Sequence, residues 1–140
     1  MEDIMKIVHV MHGDPELWAL LGESFCSRAT HKELGGPIYS SPGMHWWVAV
    51  ERHRMIGFVS LRPTSSALWF DYAYVVETRR GDGIFVRLAQ LREVEIQAKH
   101  PGFPLRLAVR TQRWPHYQKR GWKQTSRRGS WVYGQREPSR

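Results

Sequence analysis

One segment of this chain, residues 72–84 (YAYVVETRRGDGI), limits its fold more than any other. It passes from a β-rich stretch through a glycine-broken turn into a helix. The first amides of a helix have no partner within the helix and lie at the positive end of its dipole. Gly81 and Gly83 lack the Cβ atoms that would keep a ligand away from this backbone. Such a turn can bind a phosphate, but it also occurs in plain strand-to-helix connections, so the segment alone leaves both interpretations open.

The order of the other predicted elements defines the fold class. Three β-rich stretches, at residues 45–51, 55–64 and 67–76, are separated by breaks so short that they predict an antiparallel meander. The flanking elements are a strand at 5–10, a helix that Asp14 and Pro15 begin, a loop at 35–43, a helix from 83, a strand at 105–110, a short helix at 114–120, and a hairpin of strands 122–127 and 130–136. With a second short helix after the first, this order is βααβββαβαββ. It predicts an α+β fold with a mixed, mostly antiparallel sheet of six to seven strands flanked by helices.

Two interior details can also be predicted. The helix after the glycine turn has one apolar face, which predicts that these residues are buried: Ile84, Leu88, Leu91, Val94 and Ala98. The adjacent Trp46 and Trp47 lie in a predicted strand, whose side chains alternate between faces, so we expect one in the core and one at the surface.

Length and composition fit one folded domain, residues 1–140. An apolar fraction of 41% and an aromatic fraction of 12% exclude global disorder. No apolar run approaches the roughly 20 residues that span a bilayer, and Met1 to Asp3 lack the start of a secretory signal. Cys26 is the single cysteine, and we expect a buried thiol. These features predict a cytoplasmic protein that does not bind membranes.

Positive charge is concentrated at the C-terminal end of the chain. The net charge is +8, and residues 106–140 carry ten Lys or Arg against one Asp or Glu. Such asymmetry suits a polyanionic partner, although a basic tail can also serve only solubility. Trp114, Trp122 and Trp131 lie among these cations, where they can stack on bases or, more often, pack in the core.

At this point the turn resembles a known motif. The pattern (Arg/Gln)-x-x-Gly-x-(Gly/Ala) is the acyl-CoA-binding signature of the GNAT superfamily of N-acetyltransferases, and Arg80 and Gly83 match it. Phe85 stands where the family has a small residue, and we interpret it as a core contact. A later stretch, Tyr117-x-x-x-Gly121-Trp122, is similar to the second motif of the family. The resemblance implies the GNAT fold and a general-acid role for Tyr117, which would protonate the CoA thiolate.

The resemblance also implies acetyl-CoA, or another acyl-CoA, as cofactor. Backbone amides of Tyr74, Val75 and Val76 would hold the pantetheine, with the Val75 region donating to the thioester oxygen. The diphosphate would be held by Arg79 and Arg80 and by the backbone of Gly81, Asp82, Gly83, Ile84 and Phe85.

The residue that would remove a proton from the attacking amine is less well defined. Asp71, next to the cofactor segment, is the first candidate, and Glu51 or His45 could act through water. Asp71 is equally well explained as a solvated strand residue. The seven histidines show no metal-ligand spacing, so the sequence predicts no metal site.

Three functions fit these observations. The first is an N-acetyltransferase in which a primary amine attacks the thioester directly, with the acceptor entering between residues 35–43 and the final hairpin. The second is an enzyme that modifies a DNA base or tRNA and resembles the phage Mom-type proteins; the basic C-terminal quarter supports it. The third is a non-catalytic binding module, which only Phe85 supports. A second copy of the chain is a further candidate partner, and the sequence indicates neither the acceptor nor the length of the acyl chain.

Overall fold

The computed structural model describes residues 4–138; the expectation about Met1 to Asp3 lies outside this range. The strands are β1 (Lys6–Met11), β2 (His45–Glu51), β3 (Arg54–Pro63), β4 (Leu68–Trp69), β5 (Ala73–Val75), β6 (Leu105–Arg110), β7 (Lys123–Arg128) and β8 (Trp131–Arg136). The helices are α1 (Pro15–Cys26), α2 (Arg28–Leu34), α3 (Ile84–Lys99) and α4 (Trp114–Gln118), with 3-10 turns at Glu77–Arg79 and Thr111–Arg113. No helix among these residues is long and apolar enough to cross a bilayer.

The strands form one mixed sheet in the order β1-β2-β3-β4-β6-β8-β7, with β5 also paired to β3. All pairs are antiparallel except β4 with β6, which is parallel. The predicted α+β class and mostly antiparallel sheet are confirmed. Residues 4–138 contain eight strands rather than six to seven, because residues 67–76 form two short strands instead of one.

An interruption in the hydrogen bonding of β3 explains why residues 67–76 form two strands. The Tyr72 amide donates to the Ser60 side-chain oxygen at 3.0 Å, whereas the Ser60 carbonyl accepts a hydrogen bond from Arg92 Nη1 at 3.1 Å. The Ser60 amide still donates to the Tyr72 carbonyl at 3.0 Å, so a side chain and a distant guanidinium replace only the second backbone hydrogen bond of this pair. Residues 70–72 leave the sheet, and the chain changes direction between β4 and β5.

The sheet carries a core on each face. Trp46 belongs to the cluster under α1, and Trp47 to the cluster under α3 and α4. Both side chains are buried, so the prediction that one is at the surface is wrong: β2 is covered on both sides. Cys26 is exposed, contrary to the buried thiol that we expected.

The buried face of α3 differs from its prediction. Ile84 and Leu88 are buried as expected, but Val94 is 68% exposed and Ala98 is exposed too. Arg92 and Ile96 are buried instead, so the face follows a strict four-residue spacing with a cation in the middle.

Candidate active site

The division between β4 and β5 opens a cleft in the sheet. β4 pairs with β6, and this pairing ends where the Phe70 amide donates to the Arg106 carbonyl at 2.9 Å. β5 pairs with β3, and in the described part of the chain no strand pairs with its other edge. The strands β5 and β6 therefore diverge, leaving one strand edge open next to the glycine turn.

Three cavities with shared walls follow this cleft. The front cavity, of about 680 Å³, lies between the glycine turn, β5 and α4. The rear cavity, of about 560 Å³, lies between residues 34–44 and the end of the final hairpin. A central cavity of about 50 Å³ shares Ala73 and Tyr117 with the front cavity, and Asp71 and Ala108 with the rear one. The two larger spaces thus meet at the gap between β5 and β6.

The glycine turn faces the front cavity with its backbone open. Gly83 precedes α3 with φ of 80°, and Gly81 has φ of 89°. A Cβ atom added at either position would meet no heavy atom within 4 Å. Among residues 4–138, no side chain caps α3 and no acidic residue lies in its first turn. The first amides of this helix are therefore available to an anion.

Eight of the ten residues predicted to hold the cofactor line the front cavity: Tyr74, Val75, Arg79, Arg80, Gly81, Gly83, Ile84 and Phe85. Val76 and Asp82 do not. The Val76 amide donates to the Ile56 carbonyl at 3.0 Å. The Asp82 carboxylate accepts from Arg79 Nε at 2.9 Å.

The Val75 amide has the orientation that its predicted role needs. Since the amide of Val76 bonds to β3, and backbone groups in a strand alternate between edges, the amide of Val75 faces the open edge. The Val75 carbonyl lies at this edge too and accepts from Arg80 Nε at 2.9 Å.

Carboxylates hold both arginines of the turn. Arg79 Nη1 lies 2.6 Å from Glu51, in addition to its contact with Asp82. Arg80 forms an ion pair with Glu33 of α2, and its guanidinium lies over the Tyr74 ring, 5.7 Å from the centroid. These contacts fix the two cations beside the cavity before any anion binds.

Phe85 forms a wall of the front cavity and does not fill it. Its ring packs on His116, with centroids 5.8 Å apart, and also contacts the core beneath α3. The interpretation of Phe85 as a core contact is confirmed.

Tyr117 lies where the front and central cavities meet. Its ring packs edge-on against Trp122, with centroids 6.0 Å apart. Burial raises the pKa of the Tyr117 phenol, so the group keeps its proton at neutral pH. Nearby guanidinium groups, those of Arg92, Arg113 and Arg120, act in the opposite direction on the same pKa.

The three candidate proton acceptors lie in different surroundings. Asp71 lines the central and rear cavities, and its oxygens accept from Arg62 Nε at 2.7 Å and from Arg62 Nη2 at 3.2 Å. Glu51 pairs with Arg79 outside the three cavities. His45 hydrogen-bonds His9 at 2.9 Å and lines a separate small cavity under α3. Only Asp71 of the three reaches the cleft.

Several cleft residues were not predicted from the sequence. Glu33, Arg113 and His116 line the front cavity, and the first two also line the central one. Burial, with Arg120 and Lys119 nearby, lowers the pKa of His116. A search of the segment just before the Tyr117 motif would have found Arg113 and His116, but Glu33 belongs to α2 and has no sequence signal.

The residues of the front cavity fit an acyl-CoA. The cofactor needs donors for a diphosphate, an open strand edge for its pantetheine amides, and space beside both. The uncapped start of α3, the free edge of β5 and a volume of about 680 Å³ supply these.

Comparison with known proteins agrees with this geometry. The sequence profile of the acetyltransferase (GNAT) domain matches residues 11–130. The chain therefore belongs to the GNAT acetyltransferase family, and the resemblance of its two motifs is confirmed. This family supports acyl-CoA-dependent acetyl transfer in general. A search of curated proteins finds no match to the sequence.

Solved structures share the fold at low identity. An acyl-CoA N-acyltransferase from Pseudomonas aeruginosa has a TM-score of 0.79 at 14% identity, covering 95% of this chain and 99% of its own. Escherichia coli ElaA has a TM-score of 0.76 at 13% identity, covering 96% and 100%. The PaiA N-acetyltransferase of Thermoplasma acidophilum, in complex with coenzyme A, has a TM-score of 0.67 at 16% identity, covering 96% and 99%. At such identities the likeness defines the fold alone.

Proposed function

We propose that the chain is an N-acetyltransferase that moves an acetyl group from acetyl-CoA, or a related acyl-CoA, to a primary amine. The observation that supports this most directly is the open edge of β5, which lies between the uncapped start of α3 and the Tyr117 side chain. Bound acyl-CoA would supply an activated acyl group and a thiol leaving group. The amides of the glycine turn would hold its diphosphate, beside Arg79 and Arg80.

The chain's own groups would then assist both ends of the transfer. The Val75 amide, on the open edge, would donate to the thioester oxygen as charge develops there; one such donor typically contributes a factor of about 100 to 1000 in rate. Tyr117 would hold a proton next to the departing sulfur, which its raised pKa favours.

The acceptor would approach from the rear cavity. Residues 34–44 and the end of the final hairpin enclose this cavity. The side of acceptor entry that we predict from the sequence supports this part of the proposal. Asp71 lies between this cavity and the cleft, and we propose it as the group that takes the proton of the amine, with Arg62 fixing its orientation. Glu33, on the other side of the central cavity, is the alternative.

The two other functions have less support. Trp114 and Trp122 are buried in the core and cannot stack on bases, so a nucleic-acid interface would depend on Trp131 and the exposed β7. A non-catalytic module was suggested by Phe85, but the cavity beside Phe85 is open.

Calorimetric titration with acetyl-CoA, followed by an assay for free CoA thiol with a set of primary amines, tests the proposal. We expect binding in the micromolar range and amine-dependent thiol release. The Gly83→Val variant should bind acetyl-CoA about tenfold or more less tightly. A chain that fails to bind acetyl-CoA would contradict the proposal.

A further inference from the structure

The rear cavity has walls rich in aromatic side chains. Five of its lining residues are aromatic: Tyr39, Trp69, Tyr72, Trp131 and Tyr133. Tyr72 stacks on Trp46, with centroids 5.7 Å apart. The other four have no aromatic partner among residues 4–138, whereas Trp46 in the core packs on three rings. These four rings thus gather at a cavity without packing on one another.

Three of these rings lie beneath arginines. Arg128 lies over Tyr133, 5.9 Å from the ring centroid. Arg62 lies over Trp69, 5.5 Å from the ring centroid, and is itself fixed by Asp71. Arg110 lies over Trp131 at 4.2 Å and donates to the Ser130 hydroxyl at 2.5 Å. A guanidinium covers only one face of a ring, and both indoles also line the rear cavity, where a flat ligand could contact them.

The backbone near Trp131 is adapted to the position of that ring. Gly35, which ends α2 with φ of 91°, would place a Cβ only 2.7 Å from the Trp131 ring. Any other residue would force the indole to shift from this position. The glycine thus allows Trp131 to close the wall.

The charges of the rear cavity do not favour a polycationic ligand. Its charged lining residues are Arg62 and Asp71, which neutralise each other in a two-bond ion pair. Without an unpaired carboxylate, the rings must supply most of the binding free energy.

We propose that the acceptor is a primary amine attached to an aromatic ring system. This inference rests on the proposed function. The ring would stack among Trp69, Trp131 and Tyr133, while a short chain carries the amine past Asp71 to the central cavity. A volume of about 560 Å³ accommodates one or two fused rings.

A comparison of matched amines tests the class of acceptor. With saturating acetyl-CoA, phenylethylamine and tryptamine are compared with cyclohexylethylamine, which has the same reach but no flat ring. We expect a kcat/KM about fivefold or more higher for the aromatic amines, the factor that one aromatic contact provides. Trp131→Leu should remove this preference and leave acetyl-CoA affinity unchanged. Trp18→Leu, at a 62% exposed indole on α1, is the control.

Each outcome of the amine comparison either supports or contradicts an aromatic amine as the acceptor. Equal turnover of phenylethylamine and cyclohexylethylamine would overturn it while leaving the acetyltransferase intact. Binding of acetyl-CoA without turnover of either aromatic amine would overturn it too, as would faster modification of an oligonucleotide. Failure to bind acetyl-CoA would remove the proposed function and this inference with it.

A separate observation concerns Arg92, whose side chain is 3% exposed. Its Cζ lies 3.6 Å from the centroid of the Phe70 ring, and Nη1 donates to the Ser60 carbonyl. Within the described residues its Nε has no hydrogen-bond partner, and no carboxylate lies within ion-pair distance. A buried cation without a direct ion-pair partner is costly, so a packing role alone does not explain it.

The Arg92 guanidinium shares the central cavity with a group on which its charge can act. Arg92 and Tyr117 both line it. Burial lowers the pKa of Arg92 to about 10, so the group remains charged at neutral pH. The other charged or titratable groups near the phenol are each less buried than Arg92: Glu33, Arg113, His116, Arg120 and the ion pair of Glu93 with Arg136.

We infer that Arg92 is a positioning residue that acts through Tyr117 by stabilising negative charge on its oxygen. As the thioester C–S bond breaks and the amide bond forms, Tyr117 gives its proton to the sulfur and later recovers one from water. The low dielectric around Arg92 strengthens its attraction for the transient phenolate. This inference also rests on the proposed function.

The pH profile of kcat distinguishes this role from a structural one. In Arg92→Met the basic limb of the kcat profile should shift to higher pH by about one unit, because a cation that lowers the pKa of the Tyr117 phenol is lost. Arg92→Lys should keep most of the original limb, and Arg87→Met, at an exposed position of α3, should not change it. Titration of phenolate absorbance, wild type against Tyr117→Phe, gives the same pKa without turnover. An unchanged limb in Arg92→Met, or an unchanged phenol titration in the neutral Arg92→Gln variant if the methionine variant does not fold, would overturn the inference.

Discussion

The front and rear cavities adjoin one cleft but are built from different parts of the chain. The front cavity offers main-chain amides at the start of α3 and along β5, with Gly81 and Gly83 keeping them accessible. The rear cavity offers side chains: aromatic rings and the ion pair of Arg62 and Asp71. The front cavity therefore presents main-chain groups, and the rear cavity presents side chains.

This difference teaches how the two recognition tasks can be separated. Backbone amides bind a diphosphate whatever the neighbouring side chains are, so the sequence around them can vary as long as the glycines remain. Rings and paired charges depend on each residue, and they define what else can bind. We therefore expect substitutions in the front cavity to change cofactor binding, those in the rear cavity to change acceptor use, and those between them to change turnover.

The largest effect should come from Tyr117, which lies between the two cavities. Tyr117→Phe removes the proton donor and little else, so kcat should fall about 100-fold while the acetyl-CoA affinity stays the same. Steady-state rates and calorimetric titration measure the two quantities. Tyr133→Phe, in the rear cavity, is the matched control. A kcat that Tyr117→Phe leaves unchanged would remove the acid role.

Gly83→Val tests the backbone side of the comparison. The added side chain stands beside the first amides of α3, so the KM for acetyl-CoA should rise about tenfold or more, with a smaller change in the KM of the amine. A branched residue at φ of 80° also costs about 1–2 kcal/mol of stability. Gly102→Val controls for that cost, because Gly102 has φ of 84° and equally open surroundings but lies outside the three cavities. Equal losses of acetyl-CoA affinity in both variants would mean that the turn has no special role.

These two residues also belong to the patterns that are easiest to recognise in the sequence. Gly83 and Tyr117 belong to local patterns, since a turn before a helix and a tyrosine four residues before a glycine are visible within a few positions. The cleft itself was not visible. It depends on Ser60 accepting from Tyr72 and on Arg92 taking the Ser60 carbonyl, contacts that join residues far apart in sequence.

Arg92 illustrates a second limit. A helix face is predicted from apolar spacing, and that rule selects Val94 because an arginine is almost never buried without a partner. In the fold Val94 is exposed, and Arg92 takes the buried position because the interrupted strand leaves a carbonyl for it to bind. The interruption of β3 pairing that opens the cleft therefore also explains why apolar spacing predicts Val94, and not Arg92, to be buried.

Asp71 tests the side-chain half of the comparison with a smaller expected effect. Asp71→Asn should lower kcat/KM for the amine about tenfold near neutral pH and leave the KM for acetyl-CoA unchanged. If Asp71 takes the proton of the amine, the loss should shrink as the pH approaches the pKa of the amine itself. Glu33→Gln is the comparison, since Glu33 faces the same central cavity. A larger loss in Glu33→Gln would assign the proton acceptor to α2.

The smallest effect on activity should come from His45, which lies outside all three cavities of the cleft. Burial, followed by the nearby His9, Lys99 and His100, lowers its pKa to about 4, and Glu95 opposes this. The unfolded chain takes up a proton near its ordinary pKa of about 6.5, whereas the folded chain does not. Stability should therefore be fully present above about pH 6.5 and fall as the pH drops towards about 4.

His45→Gln removes this titration, so its free energy of unfolding should change less between neutral pH and about pH 5, by on the order of 1 kcal/mol after allowance for solvent screening. Urea denaturation of both proteins at the two pH values measures the difference. Turnover at neutral pH should be unchanged, because His45 contacts neither the backbone that faces the front cavity nor the rings of the rear one. A drop in turnover without a change in the pH dependence of stability would place His45 in the reaction and break the separation of the cleft from the core beneath α3.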